Sequence, residues 1–204
     1  MVWVNNLHET CLYYFMEAIL RKIAAFADKA HGDQQRKYAE ERYIEHPLRV
    51  MRICKSYGYP LPVLAAAILH DVLEDTDTTP KQVKEFLATL MNERDASHTL
   101  ALVTELTDVY TKHQYPRVNR RRRKAMEATR MEIISAEAQT IKYADIIDNV
   151  KEIVEHDPDF AAVFLRECRM LVQGMKKGNT NMREKTIEVL KKEMKRLRTH
   201  SMYS

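Results

Sequence analysis

The stretch Val63-Leu64-Ala65-Ala66-Ala67-Ile68-Leu69-His70-Asp71-Val72-Leu73-Glu74-Asp75-Thr76 decides how this chain is read. Its first seven residues are apolar without a break, and Pro60-Leu61-Pro62 ahead of them supplies a helix start. A helix with no polar face belongs in the middle of a fold. This one leads directly into His70 and Asp71, and burying an imidazole and a carboxylate there costs several kcal/mol unless something compensates them. A bare His-Asp pair at a helix end is more often a cap or a hydrogen-bonded pair than a metal site. The reason to prefer a metal has to come from elsewhere in the chain.

Two distant segments supply it. His46 stands beside Pro47, which fits the first turn of a helix reaching about Tyr57. Asp145 lies within Glu137 to Glu155, a helix with Ile141, Ala144, Ile147 and Val150 along one face. The pattern is His, 23 residues, His-Asp, 73 residues, Asp. Three helices that each bury one short metal-binding group make a costly arrangement without a cation and a natural one with it. The mixed N and O donors of His46, His70, Asp71 and Asp145 suit one borderline or hard divalent ion such as Mn, Fe, Co or Zn. Glu74 and Asp75 fall one turn after His70 and Asp71, on the ligand-bearing side, where a carboxylate can exchange protons with an activated water. A lone acidic helix end in solvent is the plainer reading of that pair.

The remaining sequence predicts an all-α fold of about eight to ten helices in one domain spanning 1–204, with a core at about 24–195. Four glycines and six prolines leave little turn chemistry for a many-stranded sheet. The glycines are also too scattered for a P-loop or a dinucleotide fingerprint. Helices are expected from about Leu7 to Ala30, from Pro80 (capped by Thr79) to Leu90, from Ser97 to Leu106, from Arg120 to Ser135, from Phe160 to Met175 and from Asn181 to Arg198. Thr107 to Asn119 is the longest break.

Hydrophobic residues make up 45% of the 204 and charged residues 30%, the balance of a chain that folds alone. Three dispersed cysteines suggest neither a disulfide framework nor a zinc knuckle, and point to a reducing, cytoplasmic setting. No apolar run approaches a membrane span, and the opening residues lack a basic leader. A net charge of +4, concentrated at Arg117 and Arg120 to Lys124, fits a small anionic substrate better than nucleic acid. Five successive helix positions cannot all face one pocket, so one or two of that cluster are expected on phosphate and the rest in water.

In order along the chain, AFADKAHGDQQRK (25–37), YIEHPLRV (43–50), AAAILHDVLEDT (65–76), RRRRK (120–124), IKYADIIDNV (141–150) and GNTN (178–181) resemble the hydrolase domain of the stringent-response alarmone enzymes. The likeness is strongest to the stand-alone small alarmone hydrolases, HD-domain enzymes that remove the 3′-pyrophosphate of (p)ppGpp. HDVLED reproduces that family's HDxxED motif. The resemblance implies His46, His70, Asp71 and Asp145 as ligands of a single metal, Mn in relatives, with Glu74 and Asp75 as the water-activating pair. It also implies substrate contacts by Arg36, Lys37 and Asn149, and makes Arg123 and Lys124 the best placed of the basic cluster.

Two departures bear on the substrate. Tyr38-Ala39-Glu40-Glu41-Arg42 replaces a shorter Ser-Gly turn, and Leu106-Thr107-Asp108 stands where relatives often carry Val-Thr-Lys, removing a cation. Three readings are therefore open: a (p)ppGpp hydrolase; an HD phosphohydrolase acting on (pp)pApp, NADPH or a nucleoside monophosphate; or a non-catalytic nucleotide-binding module. The partner in each is a small nucleotide, and oligomeric state is not readable from the sequence.

Overall fold

The computed structural model describes the backbone of residues 2–37 and 40–203 and the side chains of 13–37, 40–151 and 153–199. Expectations resting on the side chains of Cys11 and Leu12 and on Tyr38-Ala39 lie outside the described residues. Among the described residues ten helices follow one another: α1 Val2–His31, α2 Glu45–Ser56, α3 Leu61–Leu69, α4 Val72–Asp75, α5 Pro80–Ala88, α6 Glu93–Leu106, α7 Arg120–Met131, α8 Ala136–His156, α9 Pro158–Gly174 and α10 Thr180–Tyr203. Among the described residues the only β pairing is an isolated bridge between Gln35 and Arg42.

The central position read for Val63–Leu69 is what the structure has: all seven residues are fully buried. Helices α1, α2 and α6 pack around α3, and α8 packs against α2, α3, α6, α9 and α10. These two helices therefore form the axis of the bundle. Burial of Ile68 and Leu69 contributes on the order of 2 kcal/mol each. The α8–α10 seam is close enough to require glycine at Gly178, where a Cβ would sit 2.6 Å from the Tyr143 ring and 3.1 Å from the Thr140 nitrogen.

Local signals account for most helix ends. Thr79 and Gln82 form a reciprocal capping box at α5. The outer ends of α1 and α10 run five residues beyond the sequence reading, to Val2 and Tyr203, and two inner boundaries differ by four. α6 begins at Glu93 rather than Ser97, because Asn92 accepts the Asp95 N–H at 2.9 Å and starts the helix four residues earlier. α7 ends at Met131 rather than Ser135, because Ser135 instead caps α8 by accepting the Ala138 N–H. A third feature was not anticipated. The helix bearing His70 stops at Leu69, turns through His70 and Asp71, and restarts as the one-turn α4.

Candidate metal centre and active-site cavity

The turn between α3 and α4 presents His70 and Asp71 toward the start of α2 and the middle of α8. His70 is 2% exposed, and its Nδ1 donates to the Ala67 carbonyl oxygen at 2.9 Å. A carbonyl can only accept, so Nδ1 carries a proton and Nε2 is the nitrogen left to meet a metal ion or a second proton. That Nε2 is buried without a hydrogen-bond partner, 3.1 Å from Asp71 Oδ2 and 3.7 Å from Asp145 Oδ1. His46, 1% exposed, repeats the arrangement: Nδ1 faces Asp148 Oδ2 at 2.8 Å, and Nε2 lies 3.1 Å from Asp145 Oδ1 and 3.7 Å from Asp71 Oδ2.

Four lone-pair donors thus converge from α2, the α3–α4 turn and α8. Facing one another they repel unless a cation sits among them. Donors bound to one ion at roughly 2.0–2.2 Å stand roughly 3–4 Å from each other, and the four imidazole–carboxylate pairs lie at 3.1–3.7 Å. His46, His70 and Asp145 also group by ligand distance alone, their donor atoms all within 4.8 Å of one another. Burial lowers the basicity of His70, yet the Asp71 and Asp145 carboxylates outweigh it and push the imidazole up to about 10. The pocket demands positive charge, and the residues fit a divalent metal. The plainer reading of Asp71 as a helix cap does not hold, because its side chain makes no cap hydrogen bond to α4.

Glu74 and Asp75 line the same 240 Å³ cavity as Asp71 and Asp145. Asp75 Oδ2 lies 3.0 Å from the Tyr43 hydroxyl, which donates its one proton over the shorter 2.6 Å to Asp71 Oδ2. Burial, and then the charge of Asp71, raise the Asp75 carboxyl. Glu74 accepts the Asp108 N–H at 3.1 Å. Burial, and then the nearby Asp108 charge, push Glu74 up to about 7, in the range where a carboxylate both takes and returns a proton at neutral pH.

The residues expected on substrate are distributed differently. Asn149 lines the cavity, donates to Asp145 Oδ1 at 2.5 Å and accepts from Arg36 Nη2 at 3.0 Å. Lys37 is mostly exposed, pairs with Asp157 at 3.3 Å and lies over the Phe160 ring. Lys124 reaches the cavity but is bound to Asp108 at 2.6 Å. Arg123 is turned away to the Val118 carbonyl, while Arg120, one helical turn before Lys124, lines the cavity and pairs with Glu167. The i, i+4 geometry of α7 selects Arg120 and Lys124 from the cluster.

Several participants had no signal strong enough to be singled out. Lys142 lines the cavity with its Nζ 2.7 Å from Asp145 Oδ2, and its charge holds the Asp145 carboxyl well below the usual carboxylate range against the effect of burial. Asp148 anchors His46 and accepts from Arg49 Nε at 2.9 Å. Tyr43, three residues before His46 in YIEHP, holds Asp71 through its hydroxyl, a contact no local pattern announces.

Comparison with known proteins bears on the family and the fold. An HD-domain family model matches residues 24–171. The MESH1 guanosine-3′,5′-bis(diphosphate) 3′-pyrophosphohydrolase of Xenopus tropicalis is 33% identical over 145 residues, covering 70% of this chain and 73% of that protein. The human MESH1 enzyme of the same name matches with the same identity and coverage. A solved structure of a metazoan SpoT ortholog, described as hydrolysing ppGpp, superposes with a TM-score of 0.71 at 24% identity, covering 86% of this chain and 95% of that one, and so shares the fold. The chain belongs to the HD-domain family, among the proteins named guanosine-3′,5′-bis(diphosphate) 3′-pyrophosphohydrolases.

Proposed function

We propose that this protein hydrolyses the 3′-pyrophosphate of (p)ppGpp, releasing pyrophosphate and GDP or GTP, with one divalent metal, Mn, held by His46, His70, Asp71 and Asp145. The observation that carries the reading is the convergence of two imidazole Nε2 atoms and two carboxylates beside Glu74 and Asp75 in one cavity. The bound ion supplies Lewis acidity, which makes water a better acid and draws charge from a phosphoryl oxygen. Glu74 and Asp75 take the proton that water loses as its oxygen attacks the phosphorus attached to the ribose 3′-oxygen. They return a proton to that 3′-oxygen as its bond to phosphorus breaks.

Lys142, paired with Asp145, and Arg120, paired with Glu167, put N–H donors on the cavity wall, and Asn149, positioned by Arg36, faces the same space. Preorganised donors of this kind stabilise charge that develops on transferred phosphoryl oxygens. The scattered cysteines fit work in a reducing cytoplasm, and among the described residues no helix is long and apolar enough to cross a membrane.

A second reading has its own support. Asp108 neutralises Lys124 and Glu167 neutralises Arg120, so the cavity has less free positive charge than a four-phosphate substrate calls for. That favours a nucleotide with fewer phosphates on the same metal site. Product release measured with ppGpp, pppGpp, ppApp, NADPH and nucleoside monophosphates, with and without Mn, separates the two. Turnover of ppGpp that is lost on His70→Ala and Glu74→Gln supports the first reading, and turnover of monophosphates or NADPH alone replaces it with the second. Nucleotide binding without turnover of any of them makes the protein a binding module and overturns both.

A further inference from the structure

Glu127 lines the cavity wall, yet neither of its oxygens is available to a substrate. The residue is 3% exposed. Its Oε2 accepts the backbone N–H groups of Val109 and Tyr110, both at 3.1 Å, and its Oε1 accepts Arg130 Nε at 2.6 Å. Arg130 in turn donates to the Glu105 carbonyl oxygen at 2.8 Å and to the Thr107 carbonyl oxygen at 3.2 Å. An ion pair on α7, buried at Glu127 and partly buried at Arg130, therefore grips the chain on both sides of Asp108, through the carbonyl before it and the two amides after it.

Asp108 is the residue that this grip delivers. Its N–H donates to Glu74 Oε2 at 3.1 Å, and its carboxylate accepts Lys124 Nζ at 2.6 Å. Glu74 sits on the one-turn helix α4, which has little rigidity of its own, so the Asp108 amide is an anchor the carboxylate needs. Asp108 in turn lies where α6 gives way to the long segment before α7, which contains no regular helix between Leu106 and Arg120. A loop end of this kind holds a functional group in place only when its backbone is tied to a rigid element.

We infer that Glu127 is a positioning residue for the hydrolysis, clamping the amides of Val109 and Tyr110 so that the Asp108 N–H stays on Glu74. The inference rests on the reading of Glu74 as the proton-handling carboxylate. It adds a residue that the sequence did not single out and that touches neither metal nor substrate. Glutamine is the informative replacement because it is nearly isosteric. Whichever way its amide is turned, the NH2 meets either two backbone N–H groups or the Arg130 N–H, and a donor is left facing donors in a buried place.

The experiment compares wild type, Glu127→Gln and Arg130→Gln by steady-state kinetics with Mn and the nucleotide that wild type turns over best. Mn affinity by calorimetry and amide hydrogen exchange at residues 108–110 are measured on the same samples. In Glu127→Gln we expect kcat to fall about 10- to 100-fold, the scale for displacing a reacting group by about 1 Å, with KM and Mn affinity within about 3-fold of wild type. Exchange at Asp108, Val109 and Tyr110 accelerates. Arg130→Gln loosens the other side of the clamp and gives a smaller loss of the same kind, which covers the case of a Glu127→Gln protein that does not fold. Unchanged kcat in a folded variant overturns the inference, as does a loss shared equally by KM and Mn affinity. If wild type turns over no nucleotide, the hydrolase reading fails by itself, and unaccelerated exchange at 108–110 overturns the clamp.

Discussion

Replacing Asp148 by asparagine changes one atom in a residue that need not touch the metal. Asp148 is 3% exposed and serves two donors at once, His46 Nδ1 at 2.8 Å and Arg49 Nε at 2.9 and 3.0 Å from its two oxygens. Its carboxyl is held below the usual range, the hydrogen bonds from His46 and Arg49 prevailing over burial, so both oxygens accept. In Asp148→Asn a single oxygen remains for two N–H groups, and the new NH2 faces the one that loses. Arg49, fixed on Glu41, can only donate and leaves no room for an NH2 against its Nε, whereas His46 can move its proton to Nε2 and accept at Nδ1, so the NH2 turns to His46. Without that anchor neither the tautomer nor the ring orientation that aims Nε2 at the metal is enforced. Loss of such an outer hydrogen bond weakens metal binding by about 10- to 100-fold, or about 1.4–2.7 kcal/mol. The test strips the protein with chelator, titrates Mn back by calorimetry, and records Tm against Mn concentration. The variant should bind Mn in the same stoichiometry but more weakly, and its Tm should respond to Mn only at higher concentration. Mn affinity within 2-fold of wild type in a folded Asp148→Asn protein would refute the reasoning that His46 Nε2 is a ligand held by Asp148.

Three further outcomes test the fold around the site. Gly178→Ala should lower stability by about 1–3 kcal/mol, because the added Cβ meets the buried Tyr143 ring at 2.6 Å and the Thr140 backbone at 3.1 Å, and thermal denaturation reads this as a Tm drop of about 2–4 °C per kcal/mol. Thr79→Ala removes the capping box of α5 and should cost about 1 kcal/mol while leaving Mn affinity unchanged, a combination that calorimetry and denaturant titration check together. Cys54, fully buried with its thiol pushed up to about 12 by burial, and Cys168, 2% exposed, should not react with a disulfide reagent at pH 8 in a folded Cys11→Ser protein. Both should react after denaturation, and rapid reaction of either in the native state would contradict the packing.

The parts of this protein that the sequence alone determined are those whose meaning is local or periodic. Val63–Leu69 announces a buried helix because a run without a polar face has nowhere else to go. His46, His70, Asp71 and Asp145 stand out because each interrupts or borders an apolar pattern, and Glu74 and Asp75 because one helical turn separates them from that pair. Thr79-Pro80 declares a helix start by its own chemistry. Tyr43, Asp108, Glu127, Lys142 and Asp148 are different. Each is an ordinary polar residue in its own segment and gains its role from where the chain returns: Tyr43 meets Asp71, Asp108 meets Glu74, Glu127 meets Val109 and Tyr110, and Asp148 meets His46 across about a hundred positions. Lys142 is close in sequence to Asp145, yet only the enclosing cavity makes their pairing consequential.

The tertiary structure also decided which members of RRRRK reach the cavity, because the rotation of α7 about its axis is set by its packing on α9 and not by its charges. It decided that the helix carrying His70 breaks there, turning Asp71 toward Tyr43. Side-chain identity travels with the sequence, whereas the direction in which a polar group points, and the partner that satisfies it, are settled by the packing of apolar faces many residues away.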